Sequence, residues 1–328
     1  MRAFIFGAGA SHHVGYPLIK DLGRVLIQWA AKNPQPHLHW IDPDELNAIF
    51  DQSSLDDFEL VITELEDPTP GSPVSLLPPA KCKSILEGFR NAICEFFDSM
   101  RADEAVLYRQ FANERVKSGD VVISFNYDVS LERELRRAGR WEISDGYGFN
   151  LGIGSLPASP VKLLKLHGST NWIDLLFEGR TGFSFGMHTD PLGPRPVILP
   201  QEFGFLEYDS KIRDIRFSGG GVDRGGSMIL PARNKQFGAR EDFWNGLWRQ
   251  AEHALRRAEH IAVIGYSFPA ADERARKLIF GRGNRRATLT VCCGGDSARV
   301  SREFRESGFA QVQKGSEYFE SWVDGSKC

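Results

Sequence analysis

The chain has 328 residues, of which 41% are hydrophobic and 25% charged, values typical of a globular protein with a sizeable core. A formal net charge of −3 argues against a general nucleic-acid binder, so direct nucleic-acid binding is not expected. No apolar run approaches a membrane span, and the N-terminus lacks a signal-peptide pattern, so we expect no membrane contact and a cytoplasmic location.

The chain opens with a short apolar run, Ala3 to Phe6, followed by a glycine-rich turn, Gly7 to Ser11. Such a run is typical of a strand buried on both faces. A strand, a Gly-Xaa-Gly turn and a helix form the layout that directs backbone N–H groups at a phosphate. A plain tight turn is the alternative interpretation, because this motif has false positives. His12 stands where a dehydrogenase fingerprint has its third glycine, so that fingerprint fits poorly.

The stretch after this turn is predicted to be largely helical. Apolar residues recur at helical spacing from Leu18 to Trp29, from Phe58 to Leu65 and from Ile85 to Phe97. We interpret these stripes as core-forming, because amphipathic helices bury such faces against a core. A helical insertion is therefore predicted over about residues 36–118, between the first strand and the second.

Beyond the insertion, strands and helices alternate. Helices are predicted at 241–258 and 297–306, and alternation of this kind implies a parallel sheet covered by helices on both faces. Residues of about 172–240 lack periodicity and are rich in Gly and Pro, so they are predicted to form an irregular, loop-rich small module. The further strands are predicted at Asp120–Phe125, Val161–Leu166, His260–Gly265 and Arg286–Cys293.

Small, polar or titratable residues follow each of these predicted strands. Ligands of open α/β sheets bind outside the carboxyl ends of the strands, and binding sites are commonly built on such loops. These residues therefore indicate a functional site. The segments are Gly7–Ser11, Ser124–Asp128, His167–Ser169, Gly265–Asp272 and Cys293–Ser297.

The cysteines do not have the spacing of a structural zinc site. They stand at positions 82, 94, 292, 293 and 328, with no Cys-Xaa-Xaa-Cys pair. Cys292 and Cys293 are adjacent on a predicted strand, where neighbouring side chains point to opposite faces. We therefore expect no bound metal, and the odd thiol count favours a reducing compartment.

Four of the segments, in chain order, resemble the sirtuin family, and more closely its bacterial NAD-consuming branch, which lacks the zinc ribbon. They read GAGAS followed by GYP, SFNYD, LKLHGSTNW and VIGYSFPAAD, between residues 7 and 272. The resemblance implies an α/β, Rossmann-like parallel sheet with helices on both faces, within a single NAD-binding domain over 1–328. It also implies that Asn126 and His167 match the family's catalytic Asn and His.

The resemblance further implies an NAD-binding set along the strand ends. It places the first loop at the pyrophosphate and ribose, the fourth at the adenosine half, and the fifth, Gly294 to Ser297, at the adenine. The implied residues are Gly7, Ala8, Gly9, Ser11, Asp128, Gly265, Ser267, Asp272 and Gly294.

Several of these residues also have a structural interpretation. A histidine after a buried strand is often a hydrogen-bonded structural residue, and Asn126 can satisfy backbone groups at a turn. Asp128 suits the N-cap of the following helix. His12 and His13 lie beside the glycine turn, and the sequence offers them no metal-binding partner.

The leading functional prediction is an NAD glycohydrolase that releases nicotinamide and ADP-ribose, with NAD as its substrate. The nicotinamide ring is cationic while it is bonded to C1′ and becomes neutral when it leaves. No acid is therefore needed to protonate the leaving group, in contrast to an ordinary glycoside. Asn126 can orient a water or a ribose hydroxyl, and His167 can act as the base. The family resemblance suggests a role in antiphage or stress defence. Such an activity would require gating by a homo-oligomer or by a separately encoded partner, such as a translocase ATPase.

Two alternatives stay open. An NAD-dependent protein deacylase is disfavoured, because sirtuin deacylases carry a zinc ribbon after the His segment and Trp172 to Arg240 contains no cysteine. A non-catalytic NAD or ADP-ribose sensor within a larger assembly would share most of the same residues with a hydrolase.

Overall fold

The computed structural model describes residues 1–35, 39–51, 55–100, 105–149, 157–174, 197–198, 203–206, 226–233, 241–315 and 318–324. The chain divides into two compact units. The first unit combines Met1–Leu18, Ala102–His167 and Gln236–Cys328, and the second combines Ile19–Arg101 and Gly168–Lys235. Much of the predicted small module, about residues 172–240, lies outside the described residues.

The strands of the described residues fall into two sheets. The first unit contains a six-stranded sheet in the order β10-β9-β8-β1-β2-β3, and the second a four-stranded sheet in the order β5-β6-β4-β7. The strands are β1 (Arg2–Phe6), β2 (Val121–Ser124), β3 (Lys162–Lys165), β4 (Gly168–Asp174), β5 (Val197–Ile198), β6 (Phe203–Leu206), β7 (Gly226–Met228), β8 (His260–Ile264), β9 (Thr288–Cys292) and β10 (Gln311–Lys314).

The helices of the described residues connect and cover these strands. They are α1 (Ala8–Ser11), α2 (Ile19–Lys32), α3 (Pro43–Ile49), α4 (Phe58–Glu66), α5 (Pro79–Ser99), α6 (Val106–Gln110), α7 (Ser130–Arg137), α8 (Glu241–Arg257), α9 (Glu273–Arg282), α10 (Ser297–Glu306) and α11 (Phe319–Asp324). Within the described part of the chain, no helix is both long and apolar enough to span a membrane.

The sheet of the first unit confirms the predicted fold class. Neighbouring strands of this sheet pair in parallel, and β1 lies in the interior between β2 and β8. The side chains of Ala3, Phe4, Ile5 and Phe6 are at most 3% exposed, as expected for a strand covered on both faces. The structure adds two elements beyond the helix predicted at 297–306: β10 at the sheet edge and α11 after it.

The second unit combines most of the predicted helical insertion with the antiparallel sheet. Its helices pack through the predicted apolar stripes. The rings of Phe58 and Phe89, for example, meet edge to face with centroids 5.2 Å apart. Gly23 permits the close approach of α2 and α4, since a Cβ there would lie 2.9 Å from that of Phe58. The last part of the predicted insertion, from Ala102 onward, belongs to the first unit.

Candidate functional site

The predicted site segments share one edge of the six-stranded sheet. Because its strands run in parallel, the residues that follow β1, β2, β3, β8 and β9 all emerge at the carboxyl edge. The sequence-predicted site residues of the first unit therefore lie on the loops of this edge. Five of these residues contribute side chains to two polar clusters: Ser11, Asn126 and Asp128 to the first, and His167 and Asp272 to the second.

The glycines of the first and fourth loops hold two turns in contact. The Gly9 N–H donates to the Gly265 carbonyl at 2.9 Å, and Gly265 has a φ of +63°. A Cβ on Gly265 would lie 2.1 Å from the Ala10 nitrogen. A Cβ on Gly9 would lie 3.0 Å from the Gly265 Cα, and a Cβ on Gly7 would lie 2.6 Å from Tyr266. Packing between the turns thus explains why side chains are absent here. Ala8 and Gly9 are exposed, so this part of the turn faces solvent.

A buried polar cluster lies behind this turn. The Ser11 hydroxyl donates to Asp128 Oδ2 at 2.6 Å and lies 2.7 Å from the Tyr108 hydroxyl. Asn126 Nδ2 donates to the Ser11 Oγ at 2.9 Å and to the Gly7 carbonyl at 3.0 Å. Ser11, Asp128 and Tyr108 are at most 4% exposed. Ser11 therefore holds the asparagine and the aspartate in fixed positions.

The orientation of the Asn126 amide follows from its partners. A backbone carbonyl can only accept, so the amide atom beside the Gly7 oxygen must be the nitrogen. This leaves the amide oxygen, Oδ1, buried and without a hydrogen-bond partner among the described residues. An unpaired buried acceptor carries a desolvation penalty of about 1–3 kcal/mol, which a ligand or water that donates to it would remove.

Two tyrosines border this cluster in protonated form. Burial, followed by the nearby Asp128 carboxylate, raises the pKa of Tyr108 well above its ordinary value, and the same two causes raise the pKa of Tyr16. Since the Ser11 hydrogen is directed to Asp128, the protonated Tyr108 hydroxyl can donate to the Ser11 Oγ. The cluster thus keeps one consistent arrangement of donors and acceptors.

Asp128 also binds the start of the next helix, although not as its N-cap. Its Oδ1 accepts from the Ser130 N–H at 3.0 Å, whereas Val129 occupies the N-cap position of α7 and makes no side-chain cap. The predicted N-cap role of Asp128 is therefore wrong by one position. The other carboxylate oxygen, Oδ2, is directed inward, to Ser11.

A buried lysine on β3 donates hydrogen bonds to the same loop. Lys165, on β3, donates from Nζ to the Asp128 carbonyl at 2.5 Å, to the Tyr127 carbonyl at 3.3 Å and to Glu132 Oε1 at 2.8 Å. Lys165 is 1% exposed, so this cation is fully removed from water. It therefore ties the loop that carries Asn126 and Asp128 to the sheet.

The second cluster centres on His167, which follows β3. Its Nε2 lies 3.2 Å from Asp272 Oδ2, and both side chains are almost completely buried. The same carboxylate oxygen accepts from the Tyr266 hydroxyl at 2.5 Å. The resemblance placed Asp272 at the adenosine half of NAD, and the structure places it against His167.

Aromatic rings enclose the histidine and connect the two clusters. Phe125, the residue before Asn126, meets the His167 ring edge to face, with centroids 5.0 Å apart. The Phe125 ring also stacks face to face on the Tyr266 ring, with centroids 4.2 Å apart and an interplanar angle of 6°. Trp248 also approaches the His167 ring, at 6.5 Å. This apolar surrounding strengthens electrostatic interactions at the imidazole.

The remaining predicted residues lie on the turns after β8 and β9. An Arg299 guanidinium nitrogen donates to the Ser267 carbonyl at 2.7 Å and to Asp296 Oδ1 at 2.9 Å, which joins the two turns. Gly294 has a φ of +58°, a conformation that favours glycine. Burial raises the pKa of the neighbouring Cys293 to about 12, so its thiol stays protonated and is not a nucleophile.

The two histidines beside the glycine turn are not part of either cluster. His13 Nδ1 donates to the Ala10 carbonyl at 2.7 Å, and its ring packs against Tyr108 and Phe319. Burial lowers the pKa of His13, which favours the neutral form. Among the residues that the structure describes, no three His, Cys, Asp or Glu side chains gather as metal ligands, and the absence of zinc stays a prediction.

Sequence reasoning did not find three of the residues that organise the site. Tyr266 and Lys165 lie inside matched segments, and their residue types gave no separate signal. Tyr108 lies in the predicted helical insertion, where it contacts Ser11 across 97 positions of sequence. Only the fold brings such distant residues together.

Comparisons with known proteins find similar solved structures, among them three that are 14–16% identical to this chain. No protein-family model and no curated protein matches the chain. A structure from work on the mechanism and regulation of Sir2 enzymes is 16% identical, covers 88% of this chain and 79% of its own, and has a TM-score of 0.37. Sir2Tm bound to a propionylated peptide is 14% identical, covers 99% and 90%, and has a TM-score of 0.38.

A third solved structure comes from work on sirtuin substrate affinity. It is 16% identical, covers 89% of this chain and 81% of its own, and has a TM-score of 0.34. TM-scores of this size carry no functional argument.

Proposed function

We propose that this protein hydrolyses NAD at the bond between ribose C1′ and nicotinamide, releasing nicotinamide and ADP-ribose. The observation that carries the proposal is the buried Asn126 Oδ1, an acceptor without a partner among the described residues, on a loop adjacent to His167. A donor from the substrate or from a water satisfies this oxygen. No metal takes part in the proposed reaction.

The reaction places few demands on the protein. The C1′–N bond breaks with its electron pair going to the nicotinamide ring, which leaves neutral. A water oxygen bonds to C1′, and its proton passes to a base. The site must therefore hold the ribose, order one water and accept one proton, without protonating the leaving group.

Asn126 supplies the positioning. Both hydrogens of its amide nitrogen are directed, to the Gly7 carbonyl and to the Ser11 Oγ, so the side chain cannot rotate without losing two hydrogen bonds. Its Oδ1 therefore accepts from a ribose hydroxyl or from the attacking water in a fixed direction. Preorganisation of this kind avoids the cost of reordering at the moment of reaction.

His167 supplies the base. An imidazole titrates close to neutral pH, which makes it an effective proton acceptor under physiological conditions. The aromatic rings of Phe125 and Trp248 limit the access of water on their side of the ring. The imidazolium formed on proton transfer is stabilised by the Asp272 carboxylate, 3.2 Å from Nε2.

In this proposal the rest of the dinucleotide lies along the same edge of the sheet. Its phosphates face the exposed turn at Ala8 and Gly9, and its adenosine half follows the turns that carry Ser267 and Gly294. The exposed Gly295 leaves further open backbone there, since a Cβ at this position would meet nothing within 4 Å. NAD is the substrate of this reaction and not a recycled cofactor.

The experiment incubates the purified protein with NAD and quantifies nicotinamide, ADP-ribose and, with an acylated peptide present, deacylated product. Asn126→Ala and His167→Ala are each expected to lower kcat by about 10²–10⁴. The double variant should lose little more, because residues that act as one unit are not additive. His260→Ala is the matched control, as this histidine is exposed at the opposite end of β8.

The outcomes separate the candidate functions. Nicotinamide release without peptide supports hydrolysis, whereas release that requires the acylated peptide identifies a deacylase. NAD binding by calorimetry that depends on Asn126, without any turnover, identifies a sensor. Full activity in His167→Ala would show that the base is elsewhere.

We also propose that activity is gated, because an unregulated NAD hydrolase would deplete its own cell. The proposed gate is self-association or a separately encoded partner such as a translocase ATPase, in a defence role. Turnover is therefore to be measured across protein concentrations, together with the mass in solution by light scattering. Specific activity that is independent of concentration would exclude self-association as the gate.

A further inference from the structure

The carboxylate beside His167 is held from two sides. Asp272 is 2% exposed, and one of its oxygens, Oδ2, lies within hydrogen-bond distance of both His167 Nε2 and the Tyr266 hydroxyl. Tyrosine and an Nε2-protonated imidazole both donate, and a carboxylate accepts from both. Asp272 Oδ2 therefore links the Tyr266 hydroxyl to the His167 imidazole.

From these contacts we infer that Asp272 and Tyr266 are positioning residues that act through His167, and that Asp272 does not bind the adenosine half of NAD. The inference rests on the proposed function, within which it assigns new roles to two residues. A hydrogen bond from Nε2 fixes the tautomer of the neutral imidazole and the direction of its ring. The negative charge also stabilises the imidazolium that forms when His167 takes a proton.

Backbone packing holds the carboxylate at this position. The Asp272 N–H donates to the Pro269 carbonyl at 3.0 Å, and the Asp272 carbonyl accepts from the Arg276 N–H at 3.0 Å in the first turn of α9. Phe268, in the same turn, has a φ of +54°, which a bulky residue rarely adopts. This strained conformation is retained because Phe268 is buried between Tyr266, Phe280 and Phe304.

Tyr266 is fixed equally well. Its ring stacks on Phe125 with centroids 4.2 Å apart, and its Cα and Cβ lie where a side chain of Gly7 would otherwise be. The ring is thus held in the position from which its hydroxyl donates to Asp272. Asp272 is only 2% exposed, so an adenosine hydroxyl has little access to its carboxylate, which disfavours the adenosine role.

The first test reads the geometry without any turnover. Nitrogen-15 chemical shifts of the imidazoles, with His167 assigned by comparison with His167→Ala, are expected to report a hydrogen-bonded Nε2–H tautomer in the wild type. Asp272→Asn should shift this resonance or mix the tautomers. A wild-type His167 protonated on Nδ1 would overturn the inference, whether or not the protein hydrolyses NAD.

The second test separates the two roles of Asp272. Asp272→Asn is expected to lower kcat by about tenfold to a thousandfold while the Kd for ADP-ribose, measured by calorimetry, stays within about twofold of wild type. Combined with His167→Ala it should cause little further loss. Weakened ADP-ribose binding with unchanged kcat would restore the adenosine role and overturn the inference.

Tyr266→Phe covers the case in which Asp272→Asn does not fold, since it removes one hydroxyl and keeps the stacked ring. It should lower kcat several-fold with an unchanged KM and melting temperature within a few degrees of wild type. Asp44→Asn, an exposed aspartate in α3, is the matched control. If the wild type does not hydrolyse NAD, the proposed function alone is refuted. If Tyr266→Phe and Asp272→Asn both turn over NAD at the wild-type rate, only the positioning roles are refuted.

Discussion

Replacing Lys165 by methionine is expected to destabilise the protein far more than the same change elsewhere on the same strand. Lys165 is 1% exposed and donates to Glu132 and to two backbone carbonyls of the loop before α7. Methionine keeps much of the volume but leaves these acceptors without their cation. Breaking a buried ion pair from one side costs about 3–5 kcal/mol, because the other charge is left uncompensated.

The loss should depend on pH with a definite sign. Burial raises the pKa of Glu132 even with Lys165 beside it, and removal of that cation should raise the pKa further. In the variant, Glu132 must be protonated when the protein folds. Taking up this proton costs little free energy in acid, and progressively more as the pH rises above the pKa that Glu132 has in the unfolded chain. The destabilisation at about pH 8 should therefore exceed that at about pH 5.

Urea unfolding at the two pH values measures this difference, and Lys162→Met is the matched control. Lys162 lies on the same strand and pairs with Asp145 at 2.5 Å, with about a third of each side chain exposed. Such an accessible pair contributes about 0–1 kcal/mol. The double variant Glu132→Leu with Lys165→Met should recover part of the loss, since no charge is left buried. A loss in Lys165→Met no larger than in Lys162→Met would refute the reasoning.

Two further predictions concern the turns of the candidate site. Gly265→Ala should cost on the order of 3 kcal/mol by thermal unfolding, because its Cβ would lie 2.1 Å from the Ala10 nitrogen. Gly119→Ala is the control: Gly119 has a φ of +85° but open space around it, so the substitution should cost only about 1 kcal/mol. Equal losses of stability in the two variants would show that the contact between the turns is unimportant. Cys293, with a pKa raised to about 12, should react with iodoacetamide far more slowly in the native protein than in urea, as followed by mass spectrometry. Equal alkylation rates would contradict its burial.

The amino-acid sequence determined the sheet and the edge that carries the site. Apolar runs such as Ala3 to Phe6 are local signals of buried strands, and their alternation with helices implies parallel pairing. Parallel pairing then places the loops after the strands at one edge, so Asn126 and His167 could be assigned to it in advance. The edge strand β10 escaped prediction, because Gln311 to Lys314 is short and mostly polar.

Only the tertiary structure decided which partner each of these side chains has. The resemblance implied that Asp272 borders the adenosine half of NAD, and only the structure reveals that a turn through Phe268 brings its carboxylate to His167. Tyr108 lies within the predicted helical insertion, and its hydroxyl contacts Ser11 at the candidate site. Strand and helix patterns depend on neighbours in sequence, while a hydrogen bond depends on where two distant backbones lie to within a fraction of an ångström, which is fixed only when the whole core packs.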